Sequence, residues 1–306
     1  MDNELRQALK SVPQLADADP DGLVVERQGG MTNLVYRIDR GPSRYIFRIP
    51  GEGTSAYIDR SVEIHNARIA AEADVSAEVL FADENTGVML TRFIDDAVTM
   101  TPELFGSRAG SPARAAEALK RMHQCGGEFR FRFELFAMID DYLAHLGKLG
   151  AQLPDGYHDV VSEAEAVRSA LAKNPGTLAP CHCDPLCENF LDTGTRMWVV
   201  DWEYSGMNDP FWDLGDLSVE AGFDEDQDLE MMTAYCGGEP PADQMARMLI
   251  YKAMCDLLWT LWGLIQHAND NPAEDFWAYA TGRFDRCKSL LTVPRFGKSV
   301  ATLGRK

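Results

Sequence analysis

The periodicity of apolar residues changes once along this chain, and that change constrains the fold more than any other feature. Up to about residue 94, alternating segments and glycine-containing turns predict two hairpins with one helix between them. Beyond that point the spacing is mostly helical, with one short β hairpin at 189–200. The sequence therefore predicts an α+β, bilobal fold, with a small β-rich lobe at 1–94 and a large, mainly helical lobe at 95–306.

The individual elements follow from the same periodicities. A β-branched run occupies 23–27, and strands are predicted at 33–39, 45–49, 78–82 and 88–93, with a helix at 59–73. Helices are predicted at 113–125, 135–149 and 157–173, and the chain is predicted to be helical again from 226 onward, through 245–266 and 273–291. The most apolar stretch, 248–266, carries Lys252 and Asp256 and contains Gly263, so it predicts a buried helix instead of a membrane span.

The charge balance excludes several classes of partner. The chain has 48 acidic and 29 basic residues, for a net charge of −19. Such a surface repels nucleic-acid phosphates and anionic lipids and attracts cations, so neither a nucleic acid nor a membrane is expected as a partner. The seven cysteines have irregular spacing, and the N-terminus is charged from its second residue. We therefore expect a cytoplasmic protein with reduced thiols and no signal peptide.

One motif carries recognisable chemistry. His182, Asp184 and Asn189 form the pattern H-x-D-x-x-x-x-N, and Asp201 follows twelve residues later, at the end of an apolar strand. In phosphoryl transfer, a loop carboxylate faces the acceptor hydroxyl while an Asn oxygen and a second carboxylate hold Mg²⁺ against the phosphates. Oxygen ligands of this kind suit Mg²⁺. The spacing thus predicts a phosphoryl-transfer site.

Two other interpretations of this stretch remain open from the residues alone. Asp184 and Asn189 could cap backbone groups in an ordinary turn, and Asp201 could close a strand. A zinc site is the other alternative, with Cys181, His182, Cys183 and Cys187 as its ligands. Their spacing lacks the paired C-x-x-C form of structural zinc sites.

The predicted β-rich lobe offers matching parts. Residues 29–33 lie between two strands, where small residues and exposed amides could cover phosphates or simply form a hairpin turn. Arg48 lies in the middle of an apolar strand, and a cation that points inward there needs a partner. Glu63 on the following helix is the predicted partner, and such a pair would present positive charge to phosphates. The alternative is an Arg48 that faces solvent.

Several phrases together carry a family resemblance. They are Val199–Gly206, Asp209-Pro210, Phe211–Leu214, Gly30–Asn33, Ile46–Gly51 and Asp59–Glu63. In their order they resemble the bacterial branch of the choline/ethanolamine kinase family, within the aminoglycoside phosphotransferase and protein-kinase-like superfamily. The resemblance covers about residues 29–287 and implies a protein-kinase-like bilobal fold. This sequence has Arg48 where most members of the superfamily have Lys, a replacement that is common among choline kinases.

The resemblance implies roles for individual residues, with ATP and Mg²⁺ as cofactors. Asp184 would be the catalytic base and His182 would brace its loop, while Asn189 and Asp201 would bind Mg²⁺. The segment 90–94 would be the hinge that receives adenine through its backbone. The residues implied in nucleotide binding are Gly30, Thr32, Asn33, Arg48, Glu63, Thr91 and Phe93.

The acceptor site is expected to be aromatic, because a quaternary ammonium binds by cation–π attraction. Trp259 and Trp262 are three residues apart and so share a helix face, and Tyr279 lies on the next predicted helix. Tyr204 follows shortly after Asp201. The family's choline-contacting aromatic residues match Trp259, Trp262 and Tyr279. Glu203, together with the acidic surface in general, would complement the cation. The alternative is that these aromatic residues are core.

Three functions compete on this scaffold. The first is an ATP- and Mg²⁺-dependent kinase of a small cationic amino alcohol, either choline or ethanolamine. The second is a kinase of an aminoglycoside, thiamine or another alcohol, and the third is a non-catalytic binding protein that keeps the fold. Intact Asp184, Asn189 and Asp201 argue against the third. A homodimer remains open.

Overall fold

In its described residues, the N-terminal region contains five strands and two helices. The computed structural model describes residues 3–19, 22–29, 33–51, 53–54 and 58–305. The elements of this region are α1 (Asn3–Lys10), β1 (Val24–Arg27), β2 (Leu34–Arg40), β3 (Ser43–Ile49), α2 (Arg60–Glu72), β4 (Val79–Ala82) and β5 (Met89–Arg92). The strands form one antiparallel sheet in the spatial order β1-β2-β3-β5-β4.

The two faces of this sheet differ because successive side chains of a strand point in opposite directions. Phe47 of β3 lies opposite Leu90 of β5, and both are fully buried on the face covered by α1. Arg48 lies opposite Met89 on the other face, where Met89 packs with Ile64 of α2. The register of β3 therefore directs Arg48 toward α2.

Helix α1 forms where the sequence analysis predicts no element. Its Leu5 and Leu9 are four residues apart and are both buried against the sheet. A helix of only eight residues has little stability of its own, so this packing stabilises it.

The C-terminal region is mainly helical. Its helices are α3 (Pro102–Ser107), α4 (Ser111–His123), α5 (Leu135–Leu149), α6 (Tyr157–Lys173), α7 (Pro210–Glu220), α8 (Glu225–Cys236), α9 (Ala242–Ala268), α10 (Phe276–Thr292) and α11 (Pro294–Leu303). Its short strands are β6 (Val98–Thr99), β7 (Ala179–Cys181), β8 (Phe190–Asp192), β9 (Met197–Val199) and β10 (Gly206–Asn208). They form two small sheets, β6-β8-β9 and β10-β7.

Helix α9 is the centre of this region. It is long and apolar enough to cross a membrane, yet 83% of its apolar window is buried inside the protein. It packs against α5, α7, α10 and α11. The contact with α7 is close at Gly215, where a Cβ atom would lie 2.8 Å from the carbonyl oxygen of Met248. The prediction of a buried helix in this stretch is confirmed.

The predicted fold class is confirmed: a β-sheet N-terminal region precedes a helical C-terminal region. Helices α5 and α6 have the predicted bounds, and the hairpins and α2 agree with prediction to within a few residues. The sequence analysis does not predict α3, α7, α11, β6, β7 or β10. The division at residues 94 and 95 remains a prediction.

A buried carboxylate at the end of β8, three residues after Asn189, stabilises the sheet β6-β8-β9. The Asp192 side chain is fully buried and accepts hydrogen bonds from Arg114 (2.8 and 2.9 Å) and Arg108 (2.8 Å). Burial by itself would raise the pKa of Asp192, but these two guanidinium groups outweigh it and lower the pKa to about 2. Ionised Asp192 therefore favours the folded state.

We expect Asp192→Asn to lower the free energy of unfolding at neutral pH by about 2–4 kcal/mol, because two half-buried guanidinium groups lose their buried carboxylate. A carboxyl group whose pKa is lower in the folded chain stabilises the folded state at pH values above its unfolded pKa of about 4. This stabilisation is lost as the pH falls toward the folded pKa of about 2. Urea unfolding of both proteins should therefore show a difference that shrinks over that interval. Asp140→Asn, which breaks the exposed pair with Arg168, is the control and should cost less than about 1 kcal/mol. A difference that stays constant with pH would contradict this account.

Candidate active site

The loop that carries Asp184 is fixed at its base by one buried carboxylate. Asp213, on α7, accepts the backbone N–H groups of His182 (2.7 Å) and Cys183 (2.8 Å). Its Oδ2 also lies 2.9 Å from Nε2 of buried His123. Cys183 has a left-handed φ of 67°, which turns the chain sharply before Asp184. The orientation of the loop thus depends on α7, an element that the motif does not include.

His182 braces the same loop from the other side. Its ring is fully buried, and Nε2 donates to the carbonyl oxygen of Val200 at 2.8 Å. The ring also lies against Trp202, with centroids 4.8 Å apart. Burial lowers the pKa of His182, which keeps the ring neutral. This position fits a brace, because a fully buried ring cannot reach a substrate.

Asp184 remains partly exposed at the junction of the two regions. Burial, and then the negative charges of Asp201 and Glu220, raise the pKa of Asp184 to about 8. Asn189 donates its amide N–H to the carbonyl oxygen of Asp184 at 3.0 Å, which leaves the Asn189 Oδ1 available as an acceptor. A carboxylate with a raised pKa is a stronger proton acceptor, as a general base requires.

Asp201 lies where the two regions meet. Its backbone has a left-handed φ of 68°, and its Oδ1 accepts a hydrogen bond from Arg48 Nη1 at 3.2 Å. Arg48 also forms an ion pair with Glu63 of α2, so the predicted pair is present. Burial, followed by the charge of Glu203, raises the pKa of Asp201, and Arg48 opposes that rise.

Three carboxylates converge at this point. One ligand oxygen from each of Glu63, Asp201 and Glu203 lies within 4.8 Å of the others. Arg48 and Arg60 are the guanidinium groups that contact them, and their side chains are only 12% and 4% exposed. Three negative and two positive charges leave this group, which we call the carboxylate cluster, with a formal charge of −1.

Glu203 contacts two residues of the N-terminal region. Its Oε1 accepts hydrogen bonds from Arg60 Nη1 (2.6 Å) and from Asn33 Nδ2 (3.0 Å). Both partners come from the N-terminal region. Glu203 is therefore part of the carboxylate cluster, and its expected contact with the cationic acceptor stays a prediction.

The nucleotide side of the site is described in part. Gly30 and Thr32 lie outside the described residues. Asn33, the last residue of their loop, is buried and bonds to Glu203 through Nδ2, while its Oδ1 accepts the backbone N–H of Gly51 at 3.3 Å. The end of the loop is thus joined directly to the carboxylate cluster.

Part of the backbone of the expected hinge, residues 90–94, is already engaged within the protein. Thr91 pairs with Ile46 of β3 and Val79 of β4, so its backbone is enclosed by strands on both sides, although its side chain shares the sheet face of Arg48. The backbone N–H of Phe93 donates to Arg44 at 3.1 Å and is therefore occupied. Backbone recognition of adenine would have to use groups beyond these.

The predicted aromatic residues form one continuous cluster. Ring centroids are 5.6 Å apart for Tyr204 and Trp259, 6.3 Å for Trp259 and Trp262, and 5.7 Å for Trp262 and Tyr279, all edge to face. Trp259 is buried, whereas Tyr204, Trp262 and Tyr279 are half-buried. Trp259 thus belongs to the core, and the other three rings are the ones that a ligand can reach.

This aromatic cluster adjoins the catalytic loop through buried charges. The indole N–H of Trp259 donates to Asp216 Oδ2 at 3.5 Å, and Arg283 lies 4.6 Å above the ring of Tyr279. Arg283 Nη1 forms an ion pair with Glu220 at 2.6 Å. Burial, and then the charges of Glu220 and Asp184, raise the pKa of Asp216. The acceptor side therefore has carboxylates close to the rings.

Sequence reasoning missed several of these residues. It assigned no role to the α7 carboxylates, although acidic residues at three- and four-residue spacing on an apolar helix are a readable signal. It also assigned no role to Tyr142. Burial and the charge of Asp184 raise the pKa of Tyr142 to about 12, so this side chain lies near the catalytic loop. The missed residues are Arg60, Tyr142, Asp213, Asp216, Glu220 and Arg283.

The zinc alternative does not fit the geometry. In the described part of the chain, no group of metal-ligating atoms combines two of Cys181, His182, Cys183 and Cys187. Burial raises the pKa of the Cys181 and Cys183 thiols well above the ordinary value, so they stay protonated. Protonated thiols are poor zinc ligands.

The donor set fits Mg²⁺ and a polyphosphate instead. Asn189 and Asp201 offer oxygen atoms, which are the ligands that Mg²⁺ prefers. The Arg48 Nε is buried and has no hydrogen-bond partner among the described residues. A buried donor of this kind is costly unless a ligand satisfies it, and a phosphate oxygen is a suitable acceptor.

The Asp184 loop and the carboxylate cluster lie in a stretch that matches a known family. The model of the phosphotransferase enzyme family matches residues 24–251. A choline/ethanolamine kinase family protein from Mesorhizobium loti is 58% identical, and its crystal structure superposes with a TM-score of 0.91 over 99% of both chains. The crystal structure of choline kinase LicA from Streptococcus pneumoniae is 26% identical, with a TM-score of 0.75 over 98% of this chain and 100% of that one. Protein LicA of Haemophilus influenzae is 28% identical over 86% of this chain and 78% of its own length.

The resemblance inferred from the sequence phrases is thereby confirmed. The family match begins at β1 and extends into α9, so it includes both the sheet that carries Arg48 and the loop that carries Asp184. The Mesorhizobium loti protein covers the remaining helices as well. This chain belongs to the phosphotransferase enzyme family and, within it, to the choline/ethanolamine kinase family, and it is a kinase.

Proposed function

We propose that this kinase transfers the γ-phosphoryl group of ATP, in the presence of Mg²⁺, to the hydroxyl group of choline. The observation that carries the proposal is the half-buried aromatic cluster of Tyr204, Trp262 and Tyr279 beside the Asp184 loop. An amino alcohol held there by its cationic group would place its hydroxyl group near Asp184, which is partly exposed.

Each part of the chemistry has a residue to perform it. Asp184 accepts the proton of the acceptor hydroxyl, and its raised pKa suits that role. Arg48, held by Glu63, presents its guanidinium to the phosphates, under the loop that ends at Asn33. Asn189 and Asp201 would hold Mg²⁺, with Glu203 beside them. When bound, the metal neutralises the charge that develops on the phosphoryl oxygens.

The state of the nearby carboxylates favours choline over ethanolamine. A quaternary ammonium donates no hydrogen bonds and needs aromatic faces, whereas a primary ammonium needs acceptors. Glu220 is already paired with Arg283, and Asp216 already accepts from Cys255 (2.8 Å) and Trp259. The carboxylates near the rings are therefore occupied, while half-buried aromatic surface remains. An aminoglycoside would need several free carboxylates in an open groove.

We expect Trp262→Ala to raise the KM for choline roughly tenfold, because a cation–π contact of about 1–2 kcal/mol is lost. The KM for ATP should stay within about twofold, because Trp262 lies on the acceptor side. Steady-state kinetics with each substrate varied in turn would measure both values.

Trp277→Ala is the matched control for this prediction. Trp277 lies on α10 two residues before Tyr279, but its ring contacts His267 at 5.6 Å and lies outside the aromatic cluster. Its loss tests the effect of weaker α9–α10 packing alone, and the KM for choline should stay within about twofold. If Trp262→Ala raises both KM values equally, Trp262 is core and the pocket assignment fails.

A further inference from the structure

Arg60 joins the two regions of the chain at the carboxylate cluster. It is the first residue of α2, and its Nη1 donates both to Glu63 Oε2 (2.7 Å) and to Glu203 Oε1 (2.6 Å). Glu63 belongs to the N-terminal region and Glu203 to the C-terminal region. The side chain of Arg60 is only 4% exposed.

The fold holds this guanidinium in place from several directions. Its Nη2 donates to the Thr54 hydroxyl. Its aliphatic stem packs against Gly87, where a Cβ atom would lie 2.7 Å from Arg60 Cδ and 2.6 Å from Pro50 Cγ. The φ of Gly87 is +70°, so the close turn requires glycine. Arg60 therefore has a fixed position beside the carboxylates.

The charge of Arg60 changes what the carboxylate cluster can bind. Without it, Glu63, Asp201 and Glu203 would be balanced only by Arg48 and would carry a formal charge of −2. Such a group of oxygens attracts a free divalent cation. With Arg60 present the charge is −1, and the guanidinium cannot lose its proton. Arg60 thus competes with any cation that approaches Glu203.

We propose that Arg60 is a positioning residue that acts through Glu63 and Glu203. It holds the two carboxylates in register across the junction, and its charge weakens the binding of a free divalent cation, so that the metal enters with the nucleotide. This inference rests on the proposed function for its kinetic part only. The alternative is an ion pair that stabilises the fold and has no effect on metal binding.

The direct test is to titrate the full chain with Mn²⁺ in the absence of nucleotide and to measure the free Mn²⁺ by electron paramagnetic resonance. Arg60→Gln should bind Mn²⁺ at least about fivefold more tightly than the wild type, because one positive charge beside the carboxylates is lost. Arg40→Gln is the control, since it removes the same charge from the same region at an exposed pair with Asp17. It should leave Mn²⁺ affinity within about twofold of the wild type.

A second pair of variants separates charge from geometry. Arg60→Lys keeps the charge but lacks the fork that reaches two carboxylates and Thr54. It should keep Mn²⁺ affinity within about threefold while kcat falls at least about fivefold. If circular dichroism shows that Arg60→Gln is not folded, Arg60→Met replaces it in the titration, because methionine retains the apolar stem.

Unchanged or weaker Mn²⁺ binding in Arg60→Gln, or an unchanged kcat in Arg60→Lys, would overturn the proposal. The titration requires no turnover. Its result therefore stands even if choline and every other acceptor fail as substrates, and the two failures can be told apart.

Discussion

Asp184→Asn should lower kcat by about 10³-fold or more, because the amide cannot accept the proton of the acceptor hydroxyl. Nucleotide affinity should stay within about twofold, since the ionic and hydrogen-bond contacts described for Arg48 and Asn33 are made with other residues, among them Asp201, Glu63 and Glu203. The amide has nearly the same shape as the carboxylate. The Asn189 bond, made to the backbone carbonyl of residue 184, is also retained.

The pH profile distinguishes a base from a merely structural carboxylate. A base must be ionised, so the raised pKa of Asp184, about 8, predicts that kcat/KM of the wild type falls as the pH drops below that value. Bound cationic acceptor favours the ionised form, so the corresponding limb of kcat should lie at lower pH. Asp184→Asn should lose this acidic limb.

Glu188→Gln is the matched control for Asp184→Asn. Glu188 is an exposed carboxylate four residues further along, so its loss removes the same charge from nearly the same place. Its kcat should stay within about twofold of the wild type. If Asp184→Asn retains wild-type turnover or the same acidic limb, another group is the base.

The second large effect is expected for Asp201→Asn, which should lower kcat by about 10²–10³-fold and raise the apparent KM for Mg²⁺ at least about tenfold. The loss of one anionic oxygen weakens a site that depends on hard, charged ligands. Varying Mg²⁺ at fixed ATP would measure both quantities.

Asparagine is the suitable replacement because Asp201 has a left-handed φ of 68°, which asparagine tolerates better than most residues. Arg48 keeps its ion pair with Glu63 in this variant, so the junction of the two regions should stay intact. Asp159→Asn, at an exposed position on α6, is the control and should leave the Mg²⁺ dependence unchanged. An unaltered Mg²⁺ dependence in Asp201→Asn would remove Asp201 from the metal site.

The sequence predicted those parts of the site for which local pattern and physical necessity agree. A cation in the middle of an apolar strand must have a partner, so the pairing of Arg48 with Glu63 could be inferred before any coordinates. The spacing of Trp259 and Trp262 likewise placed both on one helix face. Helices α5 and α6 were predicted with their bounds because their apolar periodicity is regular.

Other features depend on tertiary contacts that no local pattern contains. Glu203 and Tyr204 are neighbours in sequence, yet Glu203 turns to Arg60 and Tyr204 turns to Trp259. Adjacency alone could not tell which side of the backbone each would take. The spacing of acidic residues on α7 does not show that Asp213 fixes the catalytic loop. That role depends on the tertiary contact between Asp213 and the backbone of His182.

The central claim is that this chain phosphorylates choline with ATP. Phosphorus NMR of the purified protein with Mg²⁺ and ATP, run separately with choline, ethanolamine, thiamine and kanamycin, tests it most directly. We expect choline phosphate and ADP to form in equal amounts and choline to give the highest kcat/KM. A higher kcat/KM for another acceptor would contradict the assigned pocket, and no acceptor-dependent ADP from a protein that binds ATP would contradict the claim itself.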